Sequence, residues 1–201
     1  MAVEVLEILL GSKARARLMR FFILNPEKEY LFSEIVKKNL LKPGEVRKEL
    51  NSFKKIGFTK EKKRKNKKLY QLNGEFSFYK EIEKLIMGSG ISPQCKSLKN
   101  IKKIGNVKVA LTSGIFVNNS EKLDLLLVVD NVNRVKLRNL ITHLEAEVGK
   151  ELRYMIISSE ELIYRLDMLD RFLINLFKNE HKLLILKTPK IKRMITRLKK
   201  Q

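Results

Sequence analysis

The residues with the most distinctive chemistry are a run of cations, Lys62-Lys63-Arg64-Lys65-Asn66-Lys67-Lys68. From Lys60 to Lys68 the chain carries seven Lys or Arg, one Glu and one Asn. Side chains of this kind bind anions: Arg as a planar fork matched to phosphate, Lys as a mobile point charge. Packing so many like charges into one short segment costs stability through self-repulsion. A polyphosphate backbone relieves that cost and adds the gain of counterion release.

A second set lies just upstream. Pro43 is a helix-start signal and Gly57 a stop signal, and Val46, Leu50 and Phe53 recur between them at helical spacing. If that stripe faces a core, steps of about 100° per residue place Gly44, Lys48, Asn51 and Lys55 on the opposite face, with Arg47 and Ser52 at its borders. Lys and Arg reach guanine edges and Asn pairs with adenine. The residue types therefore point to duplex DNA, with Arg47, Lys48, Asn51, Ser52 and Lys55 on the helix and Lys62, Lys63, Arg64, Lys65, Lys67 and Lys68 beyond it.

The elements that must position these groups follow from periodicity. Residues 3–24 read as helix, interrupted by Gly11-Ser12, with Ser12 as an N-cap and Asn25-Pro26 as the end. Tyr30-Leu31-Phe32 suits a short edge strand, and Ser33 is placed to cap a helix reaching about Asn39. After the 43–56 helix the period changes to two: residues 58–61 and 68–72 suit two strands of a hairpin, with 62–67 as the connection. Residues 76–87 read as helix with Phe78, Ile82, Leu85 and Ile86 inward. Lys13, Arg15, Arg17 and Arg20, on or near the first helix, suit a solvated face, with added phosphate contacts as the alternative. Residues 88–97, with Gly88-Ser89-Gly90 and Pro93, suit a linker.

Beyond the linker, residues 107–111, 124–129, 152–157 and 183–186 suit strands, the second buried on both faces. Residues 135–148 suit a helix. Ser158 is placed to cap one long helix to about Lys178, on which Asp167, Asp170 and Arg171 would form local ion pairs. Alternation of strands and helices indicates a small α/β domain. The expected organisation is residues 1–87, a linker at 88–97, a second domain at 98–187 and a basic tail at 188–201.

Composition sets bounds. The chain has 201 residues, 44% of them hydrophobic, with 43 Lys and Arg against 22 Asp and Glu, a net +21. Such a balance attracts polyanions and says nothing of fold. Cys95 is the only cysteine, so no internal disulfide forms, and with only His143 and His181 to join it a zinc site is not expected. His143 and Glu147 have metal spacing but lack a third ligand and read as surface. Residues 1–10 are apolar but contain Glu4 and Glu7 and no basic start, unlike a signal peptide. No run suits a membrane span. A cytoplasmic protein without membrane contact is expected.

The stretches Leu10-Gly11-Ser12-Lys13-Ala14-Arg15-Ala16-Arg17-Leu18, Pro43-Gly44-Glu45-Val46-Arg47-Lys48-Glu49-Leu50 and Lys68-Leu69-Tyr70-Gln71-Leu72-Asn73 resemble ArsR-like winged helix-turn-helix domains of prokaryotic regulators, in particular those fused to a minimal nucleotidyltransferase-like domain. The resemblance covers about the first 87 residues and implies an α+β winged helix-turn-helix followed by a small α/β nucleotidyltransferase-like domain. The metal-sensing cysteines of ArsR members are absent, so metal sensing is not implied. Residues 98–186 resemble the nucleotidyltransferase fold, whose active members cradle phosphates in a Gly-Ser turn and hold two magnesium ions on an Asp-x-Asp pair and a third acid. Here the turn reads Thr112-Ser113-Gly114, Asp124 matches the second acid, Lys122 stands at the first, and Arg153-Tyr154-Met155 stands where the third is wanted. The resemblance thus implies a degenerate site with no catalytic residues, metal or cofactor.

The leading expectation is a transcriptional regulator that binds double-stranded DNA. A homodimer and weak nucleotide binding by the second domain are compatible with it. Two alternatives stay open: an active nucleotidyltransferase acting on a protein or RNA, and an RNA-binding winged-helix protein.

Overall fold

Ser12 divides the N-terminal helical run. The computed structural model describes residues 5–88, 95–119 and 121–198, and has helix α1 over Val5–Leu9 and α2 over Lys13–Ile23. Gly11 turns the chain between them at φ +67°. Ser12 Oγ then accepts from Arg15 N–H at 3.2 Å, satisfying one of the amides that a helix start leaves without a partner. Asn25 ends α2 by donating from Nδ2 to Phe21 O at 2.7 Å.

Strand β1, Tyr30–Leu31, leads directly into α3, Phe32–Asn39. Ser33 does not cap this helix, as its sequence position suggested. α3 begins two residues earlier, with Leu31 at the N-cap, and the Glu34 carboxylate accepts from Leu31 N–H at 2.7 Å. An ionised acceptor near a helix N-terminus competes well with a hydroxyl. Leu40 closes α3 at φ +50°, and α4 follows over Pro43–Lys55. Val46, Leu50 and Phe53 are its buried stripe, joined by Glu49, and Gly57 stops it at φ +76°.

Strands β2, Thr59–Arg64, and β3, Lys67–Leu72, form a hairpin that β1 extends into an antiparallel sheet of order β1-β3-β2. The cationic run is therefore strand rather than loop. Only Lys65 and Asn66 make the turn, both left-handed at φ +47° and +59°. Two successive positive φ values mark the two-residue hairpin turn whose twist matches its strands. Helix α5, Tyr79–Gly88, starts later than periodicity suggested. Its inner face is Tyr79, Ile82 and Ile86, and Phe78 and Leu85, expected inward, are exposed. Leu6, Leu18, Phe22, Ile35, Leu50, Phe53, Phe58 and Ile86 centre the core, with Phe58 meeting Phe22, Phe53 and Phe76 edge-on.

The chain separates into two compact units, one of Met1–Lys96 with Thr142–Glu151, the other of Ser97–Ile141 with Leu152–Gln201. Most of the expected 88–97 linker lies outside the described residues. The second unit opens with a 3-10 segment, Lys96–Ile104, that periodicity did not reveal. The chain then runs through β4 (Asn106–Thr112), β5 (Leu125–Asp130), α6 (Arg134–Val148, its residues from Thr142 on belonging to the first unit), β6 (Tyr154–Ile157), α7 (Ser159–Asp167), α8 (Arg171–Lys178), β7 (Lys182–Leu186) and α9 (Pro189–Leu198). The sheet order is β6-β5-β4-β7, with β5 and β6 parallel and the other pairs antiparallel. The interior strand β5 is buried from Leu125 to Val129, in keeping with its unbroken apolar run.

The expected single helix from Ser158 is two helices. Ser158 Oγ caps α7 by accepting from Glu161 N–H, Leu169 breaks the run at φ +56°, and Asp170 caps α8 by accepting from the amides of Phe172 and Leu173. Asp170 thus serves chiefly as a cap and only secondarily as a partner of Arg165, at 3.7 Å. The basic tail from 188 is helical over Pro189–Leu198, held by buried Ile191 and Ile195. Among the described residues, no helix is long and apolar enough to cross a membrane.

Candidate nucleic-acid interface

The outward face of α4 is set by what its inward face buries. Glu49, which periodicity did not single out, is 3% exposed. It accepts from Arg15 Nε at 2.9 Å and from Ser12 Oγ at 3.2 Å. That pairing ties the start of α2 to the middle of α4 and fixes the helix's rotation. It also corrects the reading of the first helix as a solvated cationic face. Arg15 also donates to Leu10 O and Arg17 to Asn39 O, and Arg20 is buried; Lys13 alone of the four stays exposed.

With Val46, Glu49, Leu50 and Phe53 inside, Arg47, Lys48, Asn51 and Lys55 face out. Ser52 is half-buried and donates its hydroxyl to Lys48 O at 3.1 Å, which turns it back onto its own helix. Arg47 lies over the Phe32 ring, its guanidinium carbon 5.5 Å from the centroid. The stacking holds the fork flat and leaves its edge free to donate. A helix of α4's length extends about 20 Å, and its diameter of about 10–12 Å matches the width of a DNA major groove.

The hairpin rises beside this face. Its register sets Lys63 opposite Lys68 and Arg64 opposite Lys67, so like charges stand directly across the ladder. Lys62 differs from its neighbours: its Nζ donates to Glu29 at 2.7 Å and to Gln71 at 2.9 Å. That hydrogen bond draws the Glu29 carboxyl below its ordinary range. Lys60 likewise pairs with Glu75 at 2.7 Å. Lys63, Arg64, Lys65, Lys67 and Lys68 are exposed or nearly so and form no ion pair among the described residues.

Between α4 and the hairpin runs an open groove of about 750 Å³, lined by residues that include Ser33, Arg47, Asn51, Lys67, Lys68 and Tyr70. Ser33, Phe32 and Tyr70 were not among the expected site residues; the signal for them is tertiary, since β1 and β3 pair at Tyr30↔Tyr70. Burial, helped by Glu61, pushes the Tyr70 phenol up. Glu61 also lines the groove, paired with Lys54 at 2.7 Å, and is its one carboxylate.

The second unit holds the other chemically suggestive cluster. Gly114 turns at φ +52° directly after β4. Asp124, 3% exposed, accepts four hydrogen bonds: Ile115 N–H at 3.0 Å and Arg153 Nη2 at 2.8 Å on Oδ1, Arg153 N–H at 2.9 Å and Arg153 Nε at 3.0 Å on Oδ2. Burial raises the Asp124 carboxyl, but the Arg153 fork and the two backbone amides outweigh it and hold the group below its usual range. Both oxygens are committed to a cation supplied by the chain itself. Lys122 is exposed, and no group of three or more metal-ligating residues gathers among the described residues. Of the His143–Glu147 pair, His143 is exposed, but Glu147 is buried rather than on the surface. Comparisons of this chain with protein-family models, curated proteins and solved structures found no match.

Proposed function

We propose that this chain is a DNA-binding transcriptional regulator that reads duplex DNA with a winged helix-turn-helix. In this reading α3 and α4 are the helix-turn-helix, α4 enters the major groove, and the β2–β3 hairpin is the wing, following the phosphate backbone. The observation that carries it is the groove that joins Arg47 and Asn51 of α4 to Lys67 and Lys68 of the hairpin. One concave surface thus presents base-reading and phosphate-binding groups side by side. The strain at the hairpin tip supports the same reading. Lys65 sits left-handed, where Asn or Gly is at ease and Lys is not, and it stands among like charges. The fold alone does not favour lysine there; a phosphate does.

The second unit, in this proposal, is a nucleotidyltransferase-like domain turned to another use. Arg153 stands where the resemblance wants a carboxylate and neutralises Asp124, which supports a non-catalytic role. A magnesium ion needs carboxylate oxygens that are not already saturated by a guanidinium.

The test is duplex affinity measured against salt. The full chain is expected to lose affinity steeply as salt rises. A variant with Lys63, Arg64, Lys65 and Lys67 changed to Gln should show a slope of log K against log salt smaller by about 3 to 4. An unchanged slope would remove the hairpin from the interface.

A further inference from the structure

The hairpin does not hold most of this protein's charge. By sequence, the first unit carries 23 Lys and Arg against 14 Asp and Glu, a net +9, and the second carries 20 against 8, a net +12. The larger excess therefore lies in the unit for which the DNA-reading groove provides no role.

The sheet topology of the second unit explains where that excess goes. β4 starts at the same end of the sheet at which β5 and β7 finish, because β4 is antiparallel to both. Four chain passages meet at this end, and three of them are cationic; the fourth, from β6 into α7, carries Glu160 and Glu161. Lys102 and Lys103 lead into β4. Arg134 opens α6 after β5, and the backbone bond from Asn133 N–H to Ile104 O, 2.7 Å, draws it toward Lys103. Lys187 follows β7, its amide donating to Lys108 O at 2.9 Å, and Lys190 stands in the first turn of α9. All of these side chains are exposed except Lys108, which is half-buried, and none forms an ion pair among the described residues.

The carboxylates of this end are mostly occupied. Asp130 accepts from Ser159 N–H at 3.0 Å and from Ser159 Oγ at 2.8 Å, and Glu161 pairs with Arg165. Glu160, beside the outer strand β6, is the exposed one left. The remaining acids near the sheet, Glu121, Asp124 and Glu180, belong to the passages at the opposite end. Lys122, Arg153, Lys178 and Lys182 lie with them, so that end is near charge balance while this one keeps an excess of cations.

We infer that this end of the second unit is a second phosphate-binding surface, which contacts the backbone of duplex DNA. A row of exposed lysines with a neighbouring arginine suits phosphate oxygens; Asn106, Asn131 and Asn133 are exposed at the same end, and Asn133 turns its Oδ1 to the Lys136 N–H at 3.0 Å. A bilayer suits it less. Of the exposed large apolar side chains, Val135 alone lies at this end, and interfacial anchoring requires a broad apolar face to insert. The inference rests on the DNA-binding reading for the identity of the polymer, and on the second unit alone for the surface.

The experiment uses the full chain and two variants. One changes Lys102, Lys103, Arg134 and Lys187 to Gln; the other changes Lys63, Arg64, Lys65 and Lys67 to Gln. Circular dichroism confirms that each is folded, and anisotropy of a labelled duplex from 50 to 200 mM salt gives the slope of log K. Each lost phosphate contact lowers the slope by about 0.9, so the second-unit variant is expected to lose about 3 to 4, uniformly across DNA sequences. If only the hairpin variant changes, the surface inferred here is wrong and the DNA-binding reading stands. If only the second-unit variant changes, the surface stands and the hairpin assignment fails. If the second-unit variant loses binding to anionic phosphatidylserine vesicles while its DNA slope is unaltered, the surface serves a membrane and the inference is overturned.

Discussion

Lys65→Asn separates what the fold wants from what binding wants. Lys65 occupies the first position of the hairpin turn at φ +47°. An L-residue other than Asn, Asp or Gly pays about 1–2 kcal/mol for that conformation. Asparagine is several-fold enriched there because its short amide bonds locally. The substitution also takes one charge from a tip where Arg64 faces Lys67 across the ladder. Together these changes should stabilise the protein by about 0.5–1 kcal/mol. If the proposed interface is right, the same change removes one phosphate contact and should lower the slope of log K against log salt by about 0.9. Urea unfolding followed by circular dichroism reads the first effect, and duplex anisotropy from 50 to 200 mM salt reads the second. A variant that is no more stable than the parent and binds with an unchanged slope would refute both the strain and the role assigned to the tip.

Further outcomes follow from the two sites. Arg153→Leu leaves the Asp124 carboxylate buried without its partner and should cost about 2–3 kcal/mol at pH 7, a figure kept below the usual loss for a buried pair because Arg153 is half exposed. Asp124 is held below its ordinary range, so its stabilising contribution is complete above the unfolded value near ~3.9 and fades as pH falls through the lower folded value; the gap between parent and variant in urea titrations should therefore close in acid, and a gap independent of pH would exclude this ion pair as its source. Gly114→Ala forces a left-handed alanine whose Cβ collides with Asp124 Oδ1, and a loss of more than about 2 kcal/mol is expected; a neutral effect in the same titration would show that the turn relaxes freely. Glu61→Gln takes the one carboxylate out of the α4–hairpin groove and should tighten all duplexes several-fold alike, whereas a change confined to particular base pairs would identify Glu61 as a reader of cytosine amino groups.

The sequence disclosed those features that depend on local periodicity and turn chemistry. The stripe Val46, Leu50 and Phe53 located α4 and, by exclusion, its outer face. Gly11-Ser12 placed the break between the first two helices. The uninterrupted apolar run in β5 announced a strand buried on both faces. What stayed hidden depends on contacts distant in the chain. Glu49 looks like any helical surface acid until Arg15, 34 positions away, is found against it. Arg17 and Arg20 carry the residue type of a solvated face, yet they are drawn inward by backbone carbonyls and burial. The run at Lys62–Lys67 read as loop because like charges disfavour strand pairing, and cross-strand pairing with β3 overrides that preference. The break at Leu169 escaped notice because leucine is seldom left-handed, and the Asp170 cap that defines it resembles an ordinary helical acid. The cationic end of the second sheet escaped for a related reason. Lys102, Arg134 and Lys187 are scattered along the chain and meet only through strand order.

The central claim is that α4 and the hairpin together grip duplex DNA and read it. Its most direct test is selection by the full chain from a mixed pool of random duplex DNA and structured RNA, read by sequencing and repeated with Asn51→Ala. The account predicts enrichment of duplexes sharing a defined motif, and relaxation at one position of that motif in the variant, where a lost bidentate contact is worth about 1–3 kcal/mol. Retention of RNA over duplex DNA, or a duplex motif that the variant leaves intact, would contradict it.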